Sequence, residues 1–153
     1  MDIEPDQLTV EAQEIRSHGP DRPVAVTATW SAPALQAVAA ALSEQLARLG
    51  QDPVEDADQM LVLRHQTLLA ERFADHASAG AHALLAFDDT ELSVCANLLN
   101  DYLRRVDGDD AGYQPPELRE QLRILRLVQA SLCEIVSEAR AAAVAAREHA
   151  IPR

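Results

Sequence analysis

Apolar positions along this chain follow two different periods. Residues 24–30, "VAVTATW", and 83–87, "ALLAF", are short apolar runs with Val, Thr and aromatic residues, which reads as strand. Each run precedes a longer stretch in which apolar residues recur every three or four positions. After the first run come Leu35, Val38, Ala39, Leu42, Leu46 and Leu49. After the second come Leu92, Cys95, Ala96, Leu99, Leu103 and Val106. That spacing puts each set on one helix face.

The ends of these helices carry their own signals. Ser31 is suited to cap the first, with Pro33 in its first turn, and Gly50 ends it. Asp88 or Asp89 can cap the other, with Glu91 in the first turn, where a carboxylate meets the positive end of the helix dipole. A further helix is expected from Pro53 or Asp56 to about Ala77. Its stripe is Met60, Leu63, Thr67, Ala70, Ala74 and Ala77, with Leu68 and Phe73 alongside. Pro116 opens a last helix that can reach His149, roughly 50 Å long at the helical rise. Upstream, residues 7–16 fit a strand or a helix, and "SHGPDRP" at 17–23 is a turn. A hairpin of strands near 7–16 and 23–30 is the preferred reading.

The two strand-and-helix units correspond. With an offset of 57, Leu35 meets Leu92, Val38 meets Cys95, Leu42 meets Leu99, and Trp30 meets Phe87. Beyond the following loop the offset becomes 62, and Leu63, Arg64, Phe73 and Ala77 meet Leu125, Arg126, Ile135 and Ala139. Any two amphipathic helices align at some offset. The shared order of strand, cap, helix, loop and helix is what favours an internal repeat. The expected fold is therefore α+β and predominantly helical. It comprises one domain over 1–153, with repeats at 24–81 and 82–141, a small antiparallel sheet and a long C-terminal helix. Within that helix, positions 118, 122, 125, 129, 132, 136, 139, 143, 146 and 150 form a heptad seam whose last four members are Ala. The Ala-rich tail at 142–153 extends past the repeat. It is either a solvent-exposed helix or the contact of a homodimer.

Composition narrows the function. Only five of 153 residues are Phe, Trp or Tyr, so the core is built mainly from Leu, Val and Ala. The formal net charge is −12, and every basic residue is Arg. Such a field repels nucleic acid and anionic lipid, and suits a basic protein partner. The absence of Lys beside abundant Ala and Arg fits a GC-rich bacterial genome first, with a halophile's proteome and avoidance of lysine-directed tagging as the other readings. No charged-then-apolar leader and no membrane-length apolar run is visible, so a cytoplasmic location is expected.

Candidate chemistry is sparse. "DGDDAGYQPPEL" places Asp107, Asp109 and Gly112 like a calcium loop, but Ala111 and Leu118 stand where ligands are required. His65 and His76, eleven positions apart, are about 16 Å apart along a helix and cannot share a metal. Glu71, Asp75 and His82 complete the only cluster a metal-dependent enzyme could use. Cys95 and Cys133 lie among apolar residues without a base to activate them. No catalytic residue, metal ligand or cofactor is assigned. The expected function is a non-enzymatic interaction or regulatory module, in one form an immunity-type inhibitor of a basic partner. The candidate contact residues are the acidic Glu55, Asp56, Asp58, Asp107, Asp109 and Asp110. The alternative is a small-molecule pocket between the repeats near Trp30 and Phe87.

Overall fold

The computed structural model describes residues 10–17, 22–49, 56–109 and 115–150, with side chains left undescribed at 107–109 and 149–150. It is an α+β fold in which four helices cover one face of a three-stranded antiparallel sheet. The elements are β1 (Val10–Arg16), β2 (Ala25–Trp30), α1 (Ala32–Leu49), α2 (Ala57–Ser78), β3 (Ala83–Asp88), α3 (Asp89–Asp109) and α4 (Pro116–Ala150). The order β2–α1–α2 is thus followed by β3–α3–α4. Residues 10–16 are strand, which decides between the two readings of that segment.

The sheet order is β1-β2-β3. Strand β2 is central, and its alternation gives it one buried face: Val26, Ala28 and Trp30 are buried, as is Val24 just before it, and the residues between them are half-exposed. In the β2–β3 ladder Val26 faces Phe87, Ala28 faces Leu85 and Trp30 faces Ala83. Ala28 and Leu85 are themselves 57 positions apart. A twofold exchange of these two residues therefore carries Val26 onto Ala83 and Trp30 onto Phe87, which keeps the ladder in register.

The expected caps form. Ser31 Oγ accepts the Ala34 N–H at 3.2 Å. At the corresponding place in the second half, Asp88 and Glu91 exchange bonds. Asp88 Oδ1 accepts the Glu91 N–H at 2.7 Å, and Glu91 Oε1 accepts the Asp88 N–H at 3.0 Å. Asp56 caps α2 by accepting the Gln59 N–H at 2.8 Å. Helix α2 closes on Gly80, whose φ of 67° places it in the left-handed region that glycine adopts freely.

The core lies between sheet and helices. Trp30 is 0% exposed and meets Phe73 edge-on at 4.9 Å and Phe87 at 5.9 Å, while Phe73 stacks on Phe87 at 5.1 Å. Each such pair adds about 0.5–1.5 kcal/mol beyond its burial. Around them pack Leu35, Val38, Leu42, Leu92, Cys95, Leu99, Leu125 and Leu132. Of the α4 seam, Leu122, Leu125, Leu132, Val136 and Ala139 are buried, and Leu118, Gln129, Ala143 and Ala146 are half-buried.

Two expectations are corrected. The α2 stripe holds only in part: Leu63, Ala70 and Ala77 are half-buried, but Met60, Thr67 and Ala74 are exposed, and the buried residues are Leu69 and Phe73. The aromatic cluster fixes this, since Phe73 must point at Trp30. The acidic run from Asp107 is not wholly loop, because α3 continues through Asp109.

Candidate functional site

The two halves share their element order but differ in what covers their outer strands. Strand β1 pairs antiparallel along the free side of β2, with Val10 opposite Trp30, Glu11 opposite Thr29 and Ile15 opposite Val26. It also lies against α4. Nothing among the described residues occupies the corresponding place beside β3. Adding 57 to the β1 positions lands inside α2, so β1 has no counterpart in the second half.

The two helices also differ in exposure. Met60 and Val62 on α2 are 62% and 56% exposed, whereas their counterparts on α4, Leu122 and Ile124, are 1% and 9% exposed. Leu61, Leu68 and, on β3, Leu84 are exposed as well. Single exposed apolar residues need no explanation, but four on one helix, Met60, Leu61, Val62 and Leu68, leave α2 unusually apolar toward solvent, whereas Leu84 lies on the sheet face opposite the buried Leu85 and Phe87.

Between α2 and the start of α3 lies a hollow of about 650 Å³. Val62, Leu68, Leu69 and Val94 supply its apolar wall; His65, Arg72, Asp88 and Glu91 supply its polar one. A smaller hollow of about 260 Å³ lies between α1 and α4. Its residues Pro33, Ala37 and Ile124 are the counterparts of Thr90, Val94 and Val62 in the larger one.

Arg72 spans the open edge. Its guanidinium lies over Phe87, 4.4 Å from the ring centre, and bonds Glu91. It also donates to the Ala86 carbonyl at 3.1 Å. Because the Asp89 N–H donates to Val24 O at 2.9 Å, odd-numbered residues of β3 face β2. The main-chain groups of Leu84 and Ala86 therefore face outward, at an edge partly blunted by an arginine.

The sequence-derived candidates are scattered. Asp56 is engaged as the α2 cap, and Asp58 is exposed in the first turn of that helix. The backbone of Asp107 and Asp109 lies in the last turn of α3; Glu55 and Asp110 fall outside the described residues. Trp30 and Phe87 contact each other within the core. The hollow between the halves is connected to Phe87 through Arg72, which stacks on that ring and lines the hollow. Sequence reasoning missed Arg72, Glu91 in its second role, Val62 and Leu68 as a group. The available signal was β1, a strand that precedes β2 and has no equivalent before β3 in the element order.

The remaining titratable groups are separated. His65 lines the hollow, whereas His82 Nδ1 accepts the Ala32 N–H at 3.2 Å. The described residues hold no group of three or more His, Cys, Asp or Glu placed to bind a metal. Burial pushes the Cys95 thiol up to about 12, far from a reactive thiolate. Among the described residues no helix is long and apolar enough to cross a membrane. No protein-family model, curated protein or solved structure matches the chain.

Proposed function

We propose that this protein is a non-enzymatic interaction module that holds a protein partner in the groove between α2 and the β3 edge. The observation that carries this reading is the contrast between Met60 and Val62, exposed on α2, and Leu122 and Ile124, buried on α4, in a fold whose β3 edge has no partner strand among the described residues. A chain that covers one side and leaves the related side open and apolar has a surface suited to association. The net charge of −12 favours a basic partner, whose approach it would accelerate. A regulatory protein that blocks a basic target, as an immunity-type inhibitor does, fits this combination. The exposed carboxylate of Asp58 and the acidic residues after Val106 would steer such a partner rather than grip it.

The reading is tested by affinity capture with the wild-type chain and with Leu68→Asp. A partner retained by the first and lost by the second supports it. Capture of no partner, or equal capture by both chains, removes it. The small-molecule alternative rests on the hollow itself, since about 650 Å³ lies within the range of ligand sites. A low-molecular-weight compound that co-purifies and raises the melting temperature, and no longer does so in Leu69→Trp, would favour that alternative. The Ala-rich end of α4, with Val144 exposed, offers a homodimer contact, which sedimentation of Val144→Arg against wild type would detect.

A further inference from the structure

The interaction reading leaves open how a partner binds, and the first half of the chain supplies a template. We infer that the groove accepts an extended segment of a basic partner polypeptide, which adds to β3 as an antiparallel fourth strand. This inference rests on the interaction reading above.

The argument runs through counterparts. On the free side of β2, Thr29 is opposed by Glu11 and Thr27 by Glu14. The counterparts of Thr29 and Thr27 are Ala86 and Leu84, whose main-chain groups face outward. A strand placed there as β1 is placed on β2 would bond the same two residues. Its inward side chains would occupy the positions of Val10, Ala12 and Ile15, which are buried or half-buried against the helices. The apolar residues that line the hollow there and reach solvent are Val62, Leu68 and Val94. Main-chain bonds would supply affinity, and the alternating side chains would supply selection.

Charge decides among occupants. A second copy of this chain would bring another net −12 against the first, whereas a segment rich in Arg or Lys is attracted. Asp88 and Glu91 stand at the mouth of the groove. Glu91 is now held by Arg72, which also occupies the Ala86 carbonyl. An incoming strand replaces both contacts. Its N–H takes the carbonyl, and one of its cationic side chains takes the carboxylate. Arg72 thus competes with the ligand for the edge.

The probe is a synthetic peptide of residues 8–17, the segment that contains β1, carrying Glu11→Arg and Glu14→Arg. Three comparisons test the proposal on the full chain by NMR titration and amide exchange. The arginine peptide should protect the Leu84 and Ala86 amides, and should bind about tenfold tighter than the unaltered peptide. N-methylation of alternate peptide nitrogens, which leaves charge and side chains in place, should weaken it about tenfold or more. Arg72→Ala should tighten binding several-fold, because it frees the carbonyl and Glu91.

Binding that is indifferent to N-methylation, or that protects amides elsewhere, overturns the strand mode. If Leu68→Asp still abolishes capture of a partner in that case, the interaction reading survives without it. Strand docking by the unaltered peptide as tight as by the arginine peptide overturns the basic occupant. So does a dimer in sedimentation that Leu84→Arg dissolves, since it would place a second copy at the edge.

Discussion

The Arg72 guanidinium lies 4.4 Å above the centre of the Phe87 ring, bound to Glu91 at the same time. One side chain thus connects helix α2, the edge of β3 and the first turn of α3. The pair is partly solvent-exposed, at 44% for Arg72 and 34% for Glu91. Exposed ion pairs contribute about 0–1 kcal/mol, and an exposed cation–π contact about 0.5–1 kcal/mol. Arg72→Ala is therefore expected to reduce stability by only about 1 kcal/mol in urea unfolding. A loss several times larger would mean that Arg72 is a structural keystone rather than a removable cover.

The counterpart residues of α2 and α4 should respond differently to the same truncation. Leu122→Ala removes a buried side chain and should cost about 2–5 kcal/mol. Met60→Ala, on the exposed helix, should stay within about 0.5 kcal/mol. Equal losses would show that the α2 face is covered in solution.

Trp30 is fully buried, and its indole N–H has no hydrogen-bond partner among the described residues. Trp30→Ala should cost about 3–5 kcal/mol through the cavity it leaves. Trp30→Phe also loses volume, but it removes an unpaired donor whose desolvation opposes folding by about 1–3 kcal/mol. Its net cost should therefore be well under that of Trp30→Ala. Denaturant titration followed by circular dichroism checks this, since the substitutions remove the single Trp fluorophore.

Burial raises the Cys95 thiol from 9.0 to about 12, so the folded chain holds this proton more tightly than the unfolded chain does. The corresponding stability is fully present below pH 9 and declines as the pH rises toward 12. Cys95→Val, which installs the residue type of its counterpart Val38, should flatten that alkaline decline in urea unfolding near pH 7 and pH 10. In thiol labelling of the native protein, the exposed Cys133 should react quickly and Cys95 only on unfolding.

Strands β2 and β3, both capped helix starts and the α4 seam were legible in the sequence because each depends on spacing within a single element, whereas the β1 segment fitted strand or helix and is decided by its pairing with β2. Ser31 and Asp88 announce their helices through local chemistry, and Leu122, Leu125 and Leu132 through heptad spacing. The inward face of α2 was not legible in full. Met60 and Phe73 are both large and apolar, and only the positions of Trp30 and Phe87 in the assembled sheet decide which of them turns inward. The role of Arg72 was hidden for a related reason. Its partners Ala86 and Glu91 lie 14 and 19 positions away, on elements whose placement no helical period encodes. The acidic residues drew attention as runs of charge, yet Asp56 is occupied as a cap.

The ladder between Ala28 and Leu85 also bears on how the molecule is made. Its partners are separated by a complete helical hairpin, α1–α2, whose own contacts are local. Contacts within each helical hairpin close short loops, whereas the central ladder closes one of more than fifty residues. Loop-closure entropy therefore predicts that the two helical hairpins collapse early and that the β2–β3 seam joins them late. Substitutions at Ala28 or Leu85 should then accelerate unfolding while leaving the folding rate nearly unchanged.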